Sequence, residues 1–136
     1  MGKNYKVGWL IHNKLAALTH YHANITEDDI KGVIADADEL IQGISSPISI
    51  IIDNRKAPLS KIFSLEQLRA MSPFLNNTML RWIIIIKPEH LSIKNNTEIE
   101  HSDMIRLKNV STIEEAVLFM NENHITDEPI DLSFFP

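Results

Sequence analysis

Two short runs of isoleucine constrain the fold of this 136-residue chain more than any other feature. The first occupies residues 48–52 and is interrupted only by Ser49, and the second occupies residues 83–86. Alternate residues of a strand point to opposite faces of a sheet, so apolar residues at consecutive positions predict a strand that is covered on both faces. The two runs therefore predict an α/β protein in which both strands are central and parallel.

A capped amphipathic helix is predicted before the first run. Thr26 suits the N-cap position, and carboxylates at the next three positions complement the helix dipole. Apolar residues recur at helical spacing from Ile30 to Ile44, and Gly43 and Pro47 end the pattern. A helix followed by a buried strand is half of a right-handed crossover unit, which joins neighbouring parallel strands.

A β hairpin is predicted at the start of the chain. Apolar and polar residues alternate over Tyr5–Ile11, and a second strand runs from Leu15 to about His22. A three-residue turn pairs Ile11 with Leu15 and Tyr5 with Tyr21, and it places His20 on the polar face. A two-residue turn shifts the register by one residue and brings His20 behind Tyr5. We prefer the first register because it separates apolar from polar side chains more cleanly.

Two further helices and two further strands complete the predicted order, β-β-α-β-α-β-β-α. Ser64 with Gln67 forms a capping box for a short helix, and Thr112 caps the last helix. The remaining strands are expected at residues 80–86 and 104–107, with a polar loop at residues 89–102. This order corresponds to an α/β domain with a mixed, partly parallel five-stranded sheet.

The chain resembles the SpoIIAA-like superfamily, which contains the STAS and STAS/Sec14-like domains. The resemblance lies in the hairpin that leads into residues 25–30, in the strand that ends at Asp53-Asn54-Arg55, and in the capped helix within residues 110–119. It implies a single SpoIIAA-like domain over residues 1–124 with a tail at residues 125–136. It also implies a non-catalytic regulatory or protein-interaction module.

Some members of that superfamily, the anti-sigma-factor antagonists, are switched through a serine at a helix N-terminus. Ser64 is the nearest match by position. The Asp-Ser-(Ser/Thr)-Gly signature of those members is replaced here by Ile-Phe-Ser-Leu at residues 62–65. Two interpretations of Ser64 therefore stand: a switch residue, or a serine that only caps its helix.

Four residues are candidates for contact with a ligand or partner: Asp53, Arg55, Ser64 and Trp82. Asp53 and Arg55 follow a buried strand, at the edge where open α/β sheets gather binding sites. The structural alternative is an ion pair in which the carboxylate also caps backbone N–H groups. Trp82 would line a pocket beneath the loop at residues 54–63, which suits a small apolar or lipid-like ligand. The alternative for Trp82 is a place in the core.

Motifs for catalysis and cofactor binding are absent from the sequence. There is no cysteine, no G-x-S-x-G elbow and no G-x-G-x-x-G loop. His12, His20 and His22 could share one face of the hairpin and hold a metal ion, but no acid at a fixed spacing completes the ligand set. We therefore expect a protein that is not an enzyme, with no catalytic residue, no cofactor and no metal.

Charge and hydropathy indicate where the protein works. The net charge is −5 and the lysines and arginines are scattered, which argues against nucleic acid and against anionic membrane surfaces as partners. No apolar run is long enough to cross a membrane, and the first residues lack the apolar core of a signal peptide. The expected location is the cytoplasm.

Self-association is expected from the number of apolar faces. Three helices that crowd one face of the sheet would leave the second face to be covered by the Phe134-Phe135 tail, by a ligand or by a second subunit. Because homodimers are the commonest natural solution, we expect a homodimer. A further protein partner is expected, whose identity the sequence does not give.

Overall fold

A computed structural model describes residues 4–21, 25–57, 63–91 and 99–136 of the chain. These residues form a six-stranded mixed sheet and three α-helices, which confirms the α/β class. The strands are β1 (Tyr5–Ile11), β2 (Leu15–His20), β3 (Ile48–Asp53), β4 (Leu80–Ile86), β5 (Ile99–Ser102) and β6 (Ile105–Val110). The helices are α1 (Glu27–Ile41), α2 (Leu65–Met71) and α3 (Ile113–Glu122), with short 3-10 turns at Pro73–Asn76 and Leu132–Phe134.

The two isoleucine runs are the central neighbours of the sheet, as predicted. The strand order is β1-β2-β3-β4-β6-β5, and the four inner strands are parallel. β3 pairs with β4 through Ile50 opposite Ile83 and Ile51 opposite Ile84. Each strand is covered on both faces, which is the physical reason for the unbroken apolar runs.

The predicted number of strands is wrong by one. Ile99–Ser102, placed within the expected loop, forms β5, an antiparallel edge strand beside β6. Four residues reading Ile-Glu-His-Ser carry too little alternation to stand out, and a short, charged edge is a common way to protect a sheet from further pairing. Residues 92–98 of the expected loop lie outside the described residues.

The predicted register of the hairpin holds only at its turn. Ile11 pairs with Leu15 as expected, but the register shifts between Trp9 and Ile11, and Tyr5 therefore pairs with His20 instead of Tyr21. A one-residue shift of this kind moves side chains to the other face of the sheet. His20 consequently shares the face of Tyr5, which corrects its predicted place on the polar face.

The two faces of the sheet are covered by different elements. We call the side packed by α1 and α2 the helix-pair face and the side packed by α3 and the tail the tail face. Phe134 and Phe135 are 9% and 8% exposed and belong to the core of the tail face. The helices therefore do not crowd one face, and the tail supplies part of the cover that a second subunit was expected to supply.

The helices begin where the sequence predicts. Thr26 Oγ1 accepts a hydrogen bond from the N–H of Asp29, and the Asp29 side chain accepts one from the N–H of Thr26. Gly43, at a φ of +79°, follows the C-cap in the left-handed conformation that glycine tolerates. None of the helices in the described ranges has the length and apolar character needed to cross a membrane.

Candidate binding site

A mostly apolar cavity of about 250 Å³ lies on the helix-pair face, between α1, α2 and the sheet. Side chains from both helices and from β2 and β3 form its apolar walls, including Leu18, Val33, Ile34, Ile52, Leu68 and Phe74. The polar side chains in its described lining are those of His20, Asn54 and Ser72. Such a cavity, apolar with a few convergent polar groups, is the usual form of a small-molecule site.

The position of the cavity follows from the lengths of the two helices. β2 and β3 end at His20 and Asp53, so the cavity opens at the carboxyl edge of the parallel strands. In the later turns of α1 the inner side chains are buried against the sheet, but Ile30 in the first turn is 51% exposed. α2 has only seven residues, and Met71 at its end is also 51% exposed. The helices therefore leave a gap between them at this edge.

His20 is the polar group that marks the cavity. Its side chain is 8% exposed, and its Nδ1 atom is buried with no hydrogen-bond partner among the described residues. Burial lowers the pKa of His20 below its ordinary value, and the opposing attraction of Asp53 and Asp29 is weaker. The ring is therefore a neutral imidazole at pH 7. Buried polar atoms without partners are rare in folded proteins, so this one indicates a missing partner.

His20 was considered only as a possible metal ligand and not as a residue of a ligand cavity, because its place there depends on the register shift in the hairpin. One signal was present in the sequence. The strand Leu-Ala-Ala-Leu-Thr-His at residues 15–20 is apolar at four consecutive positions, and all six residues are buried. A strand apolar on both faces lies inside a sheet, so the second face of the hairpin could have been recognised as a core face.

Asp53 and Arg55 contact each other and use most of their hydrogen-bonding capacity within the chain. The Arg55 guanidinium donates through Nε to Asp53 Oδ1 and through Nη2 to Oδ2, each at 3.0 Å. Asp53 also accepts from the Thr19 hydroxyl at 2.7 Å and from the Arg55 backbone N–H at 3.1 Å. Arg55 further donates to the carbonyl oxygen of Pro136 at 3.3 Å.

This arrangement matches the structural interpretation of the pair. The Asp53 carboxylate is 2% exposed and accepts four hydrogen bonds, so its lone pairs are occupied. The hydrogen bond to Asp53 raises the pKa of Arg55, which keeps the guanidinium charged. The pair fastens the end of β3 and ties it to the tail through Pro136.

Ser64 and Trp82 also lie outside the cavity. Ser64 is the N-cap of α2, where its Oγ accepts from the Gln67 N–H at 3.2 Å. Trp82 lies on the tail face, with its ring against the edge of the Phe119 ring at 5.3 Å and under the Arg106 guanidinium at 5.7 Å. The expectation that Trp82 lines the pocket near residues 54–63 is wrong, since the cavity lies on the opposite face of the sheet.

The other histidines do not assemble a metal site in the part of the chain that the structure describes. No group of three or more His, Asp or Glu side chains lies close enough there to hold an ion. His12 is exposed and packs edge-on against Trp9 at 6.1 Å, while His22 falls outside the described ranges. His12 lies in the hairpin turn and His20 at the far end of β2, so the length of the hairpin separates them.

A second hollow, of about 410 Å³, lies near the amino ends of the parallel strands. Its described lining includes Lys14, Arg81, His124 and Trp82, so Trp82 borders this hollow and not the cavity beside His20. Lys14 is paired with Glu128 at 2.9 Å, and Arg81 donates to the Thr78 carbonyl at 2.7 Å. The lysine and the arginine of this lining are therefore engaged within the chain.

Comparisons of this chain with protein-family models, with curated proteins and with solved structures find no match. The SpoIIAA-like resemblance accordingly stays a prediction from the sequence. The candidate site rests on the geometry of the cavity and of His20 alone.

Proposed function

We propose that this protein is a non-catalytic binding module for a small, largely apolar ligand, which occupies the cavity between α1 and α2. The observation that carries the proposal is the buried His20 imidazole, whose Nδ1 has no partner among the described residues, on the wall of an otherwise apolar cavity. A ligand with one polar group would fill the apolar space and complete the hydrogen bonding of the imidazole.

The size of the cavity limits the ligand. Its volume of about 250 Å³ is below the range of about 300–1,000 Å³ that is typical for drug-sized molecules. It is larger than the engineered cavity of about 150 Å³ that holds benzene in another protein. A single substituted ring or a chain of similar bulk therefore fits, and a whole phospholipid does not.

Calorimetric titration of the full chain with 4-ethylphenol tests this proposal. We expect saturable binding with one site, because the ring and its substituent match the apolar walls. Ala57 lines the cavity and is 5% exposed, so Ala57→Leu should fill the space and abolish binding. Leu118→Phe is the matched control, since Leu118 is 58% exposed on α3 and its enlargement leaves the cavity unchanged. Equal binding by both variants would place the ligand elsewhere and contradict the proposal.

A second candidate function is a protein-interaction module of SpoIIAA/STAS-like type, working in the cytoplasm. It is favoured by Ile30 and Met71, which are both half exposed and both line the cavity. An apolar rim of this kind suits an apolar side chain of a partner, including a second copy of this chain. The proposed homodimer rests on this rim, since the tail covers the opposite face.

Sedimentation velocity at tens of micromolar separates the two candidates. A dimer that becomes a monomer in Ile30→Asp and in Met71→Asp would support association through the rim. A monomer at all concentrations would contradict the homodimer and leave the small-ligand proposal as the better supported function. The exposed Met104, at 66% exposure on the opposite edge, provides the control substitution Met104→Asp.

A further inference from the structure

The charge around the cavity restricts the chemistry of its ligand. The described lining contains no lysine and no arginine. Arg55, the nearest cation along β3, is held by Asp53, and Arg69 of α2 donates to Asn76 at 2.7 Å and to Ser102 at 3.0 Å. An anionic ligand would therefore lose its hydration without gaining a counter-ion from the described lining, which is strongly unfavourable.

Two carboxylates act electrostatically on His20 at this end of the cavity. Asp53 and Asp29 both favour the positive form of the ring, although the charge of Asp53 is balanced by Arg55. The amino end of α1, which would otherwise attract an anion, carries Glu27, Asp28 and Asp29 in its first turn. Thr26 and Asp29 also occupy N–H groups there through the capping box. The local potential consequently disfavours a negatively charged group beside His20.

The hydrogen-bonding chemistry of His20 limits the ligand in a second way. A neutral imidazole has one nitrogen that donates and one that accepts, and the unpartnered Nδ1 takes either role according to the tautomer. A hydroxyl group can both donate and accept, so it satisfies the ring in either tautomer. A carboxylate only accepts, and a hydrocarbon does neither.

We infer that the cavity takes a neutral apolar ligand that carries a hydroxyl group, a small phenol or alcohol, in preference to a carboxylic acid of the same skeleton. This inference rests on the proposed function, since it specifies what the proposed cavity binds. The hydroxyl lies against His20, and the hydrocarbon part lies among the side chains of α1, α2 and β3.

Three ligands with one skeleton test the inference: 4-ethylphenol, 4-ethylbenzoate and ethylbenzene, titrated into the full chain at pH 7.5. At this pH a phenol is neutral and a benzoate is ionised. We expect 4-ethylphenol to bind at least tenfold more tightly than 4-ethylbenzoate, and several-fold more tightly than ethylbenzene. In His20→Leu the advantage of the phenol over ethylbenzene should disappear while both still bind.

The possible outcomes distinguish a failure of this inference from a failure of the proposed function. If 4-ethylbenzoate binds as tightly as 4-ethylphenol, or if ethylbenzene does, the inference is overturned although the cavity still binds ligands. If none of the three binds, the proposed function itself fails. Nitrogen NMR of the wild-type imidazole gives a readout that needs no variant. The His20 nitrogen signals should shift with the phenol and stay in place with ethylbenzene, and equal shifts with both would overturn the inference.

Discussion

The two faces of the sheet are closed in different ways. On the tail face, Phe134 and Phe135 pack edge to face at 5.2 Å, and the Lys6 ammonium lies 4.3 Å from the centre of the Phe134 ring. Gly8 permits this close approach, since a Cβ atom there would meet the Phe134 ring at 3.3 Å. The helix-pair face has two helices but retains a cavity of about 250 Å³ beside His20.

The tail face is thus covered by one helix and two buried aromatic side chains, whereas the two helices of the other face leave a cavity between them. Along the chain, the parallel strands β2, β3, β4 and β6 follow one another across the sheet in a single direction. There is consequently no topological switch point, the crevice where such sheets commonly bind ligands. The cavity arises instead from the gap between α1 and the short α2, at the same carboxyl edge.

The largest expected effect is on the tail face. Phe134→Ala and Phe135→Ala should each lower the free energy of unfolding by about 3–5 kcal/mol, because each removes a large buried side chain from a filled face. Urea unfolding followed by circular dichroism measures the change. Leu132→Ala is the control, since Leu132 lies in the same turn but is 45% exposed. Losses no greater than that of Leu132→Ala would mean that the tail does not close this face.

A smaller loss of stability is expected when the ion pair at the end of β3 is broken. Asp53→Asn should lower the free energy of unfolding by about 2–3 kcal/mol, since hydrogen bonds to charged groups are the stronger ones and Arg55 loses its counter-ion. Asp103→Asn should cost less than about 1 kcal/mol, because Asp103 is 78% exposed in its pair with Arg69. Equal effects of the two substitutions, measured by the same unfolding experiment, would contradict a structural role for the buried pair.

Enlarging one alanine on each face compares their packing directly. Ala116→Leu should destabilise the protein by about 1–3 kcal/mol, because Ala116 is 1% exposed in the filled core of the tail face. Ala57→Leu should cost less than about 1 kcal/mol, because its added atoms enter the cavity. Thermal unfolding of both variants gives the comparison. An equal loss in both would indicate that the helix-pair face is as tightly packed as the tail face.

The smallest effect is a pH dependence that belongs to His20. Burial lowers the pKa of His20 in the folded state. In the unfolded chain the same side chain takes up its proton at about pH 6.5. As the pH falls below that value, the unfolded state gains a proton that the folded state does not, so the free energy of unfolding falls until the folded pKa is reached. The negative charges of Asp53 and Asp29 favour the protonated ring and reduce the effect.

Unfolding measurements between pH 7.5 and pH 5.5 test this dependence. The variant His20→Asn should lose less stability over the interval than the wild type loses. His12→Asn, which changes an exposed histidine outside the cavity, is the matched control substitution. A His20→Asn slope equal to that of the wild type would show that the ring is not held neutral by burial.

Much of the fold was accessible from the sequence, because its signals are local. The isoleucine runs required coverage on both faces, and Thr26, Ser64 and Thr112 each carry the side chain that caps a helix. The sixth strand was missed because an edge strand such as β5 needs only a partner's backbone, and its own side chains are mostly solvated. Whether such a short segment pairs as a strand depends on the neighbouring strand, and its own four residues do not predict it.

The candidate site was less accessible, because it depends on two features that no short pattern specifies. The register shift between Trp9 and Ile11 decides which face His20 occupies, and the neighbouring Gly8 is too weak a signal to locate it. The short α2 was predictable, since Pro73 follows its C-cap, but how α1 and α2 lie relative to each other on the sheet is set by tertiary packing. Asp53 and Arg55 were recognisable as a charged cluster at a strand end, and the ion pair given as the structural alternative is the arrangement observed.

One measurement tests the central claim, that the cavity between α1 and α2 is a ligand site, most directly. In methyl-labelled protein with 4-ethylphenol, intermolecular NOEs report which methyl groups lie within a few ångströms of the ligand. We expect NOEs to Leu18, Ile52 and Leu68, which line the cavity. NOEs confined to Ile84 and Val110 on the tail face, or no NOEs at saturating ligand, would contradict it.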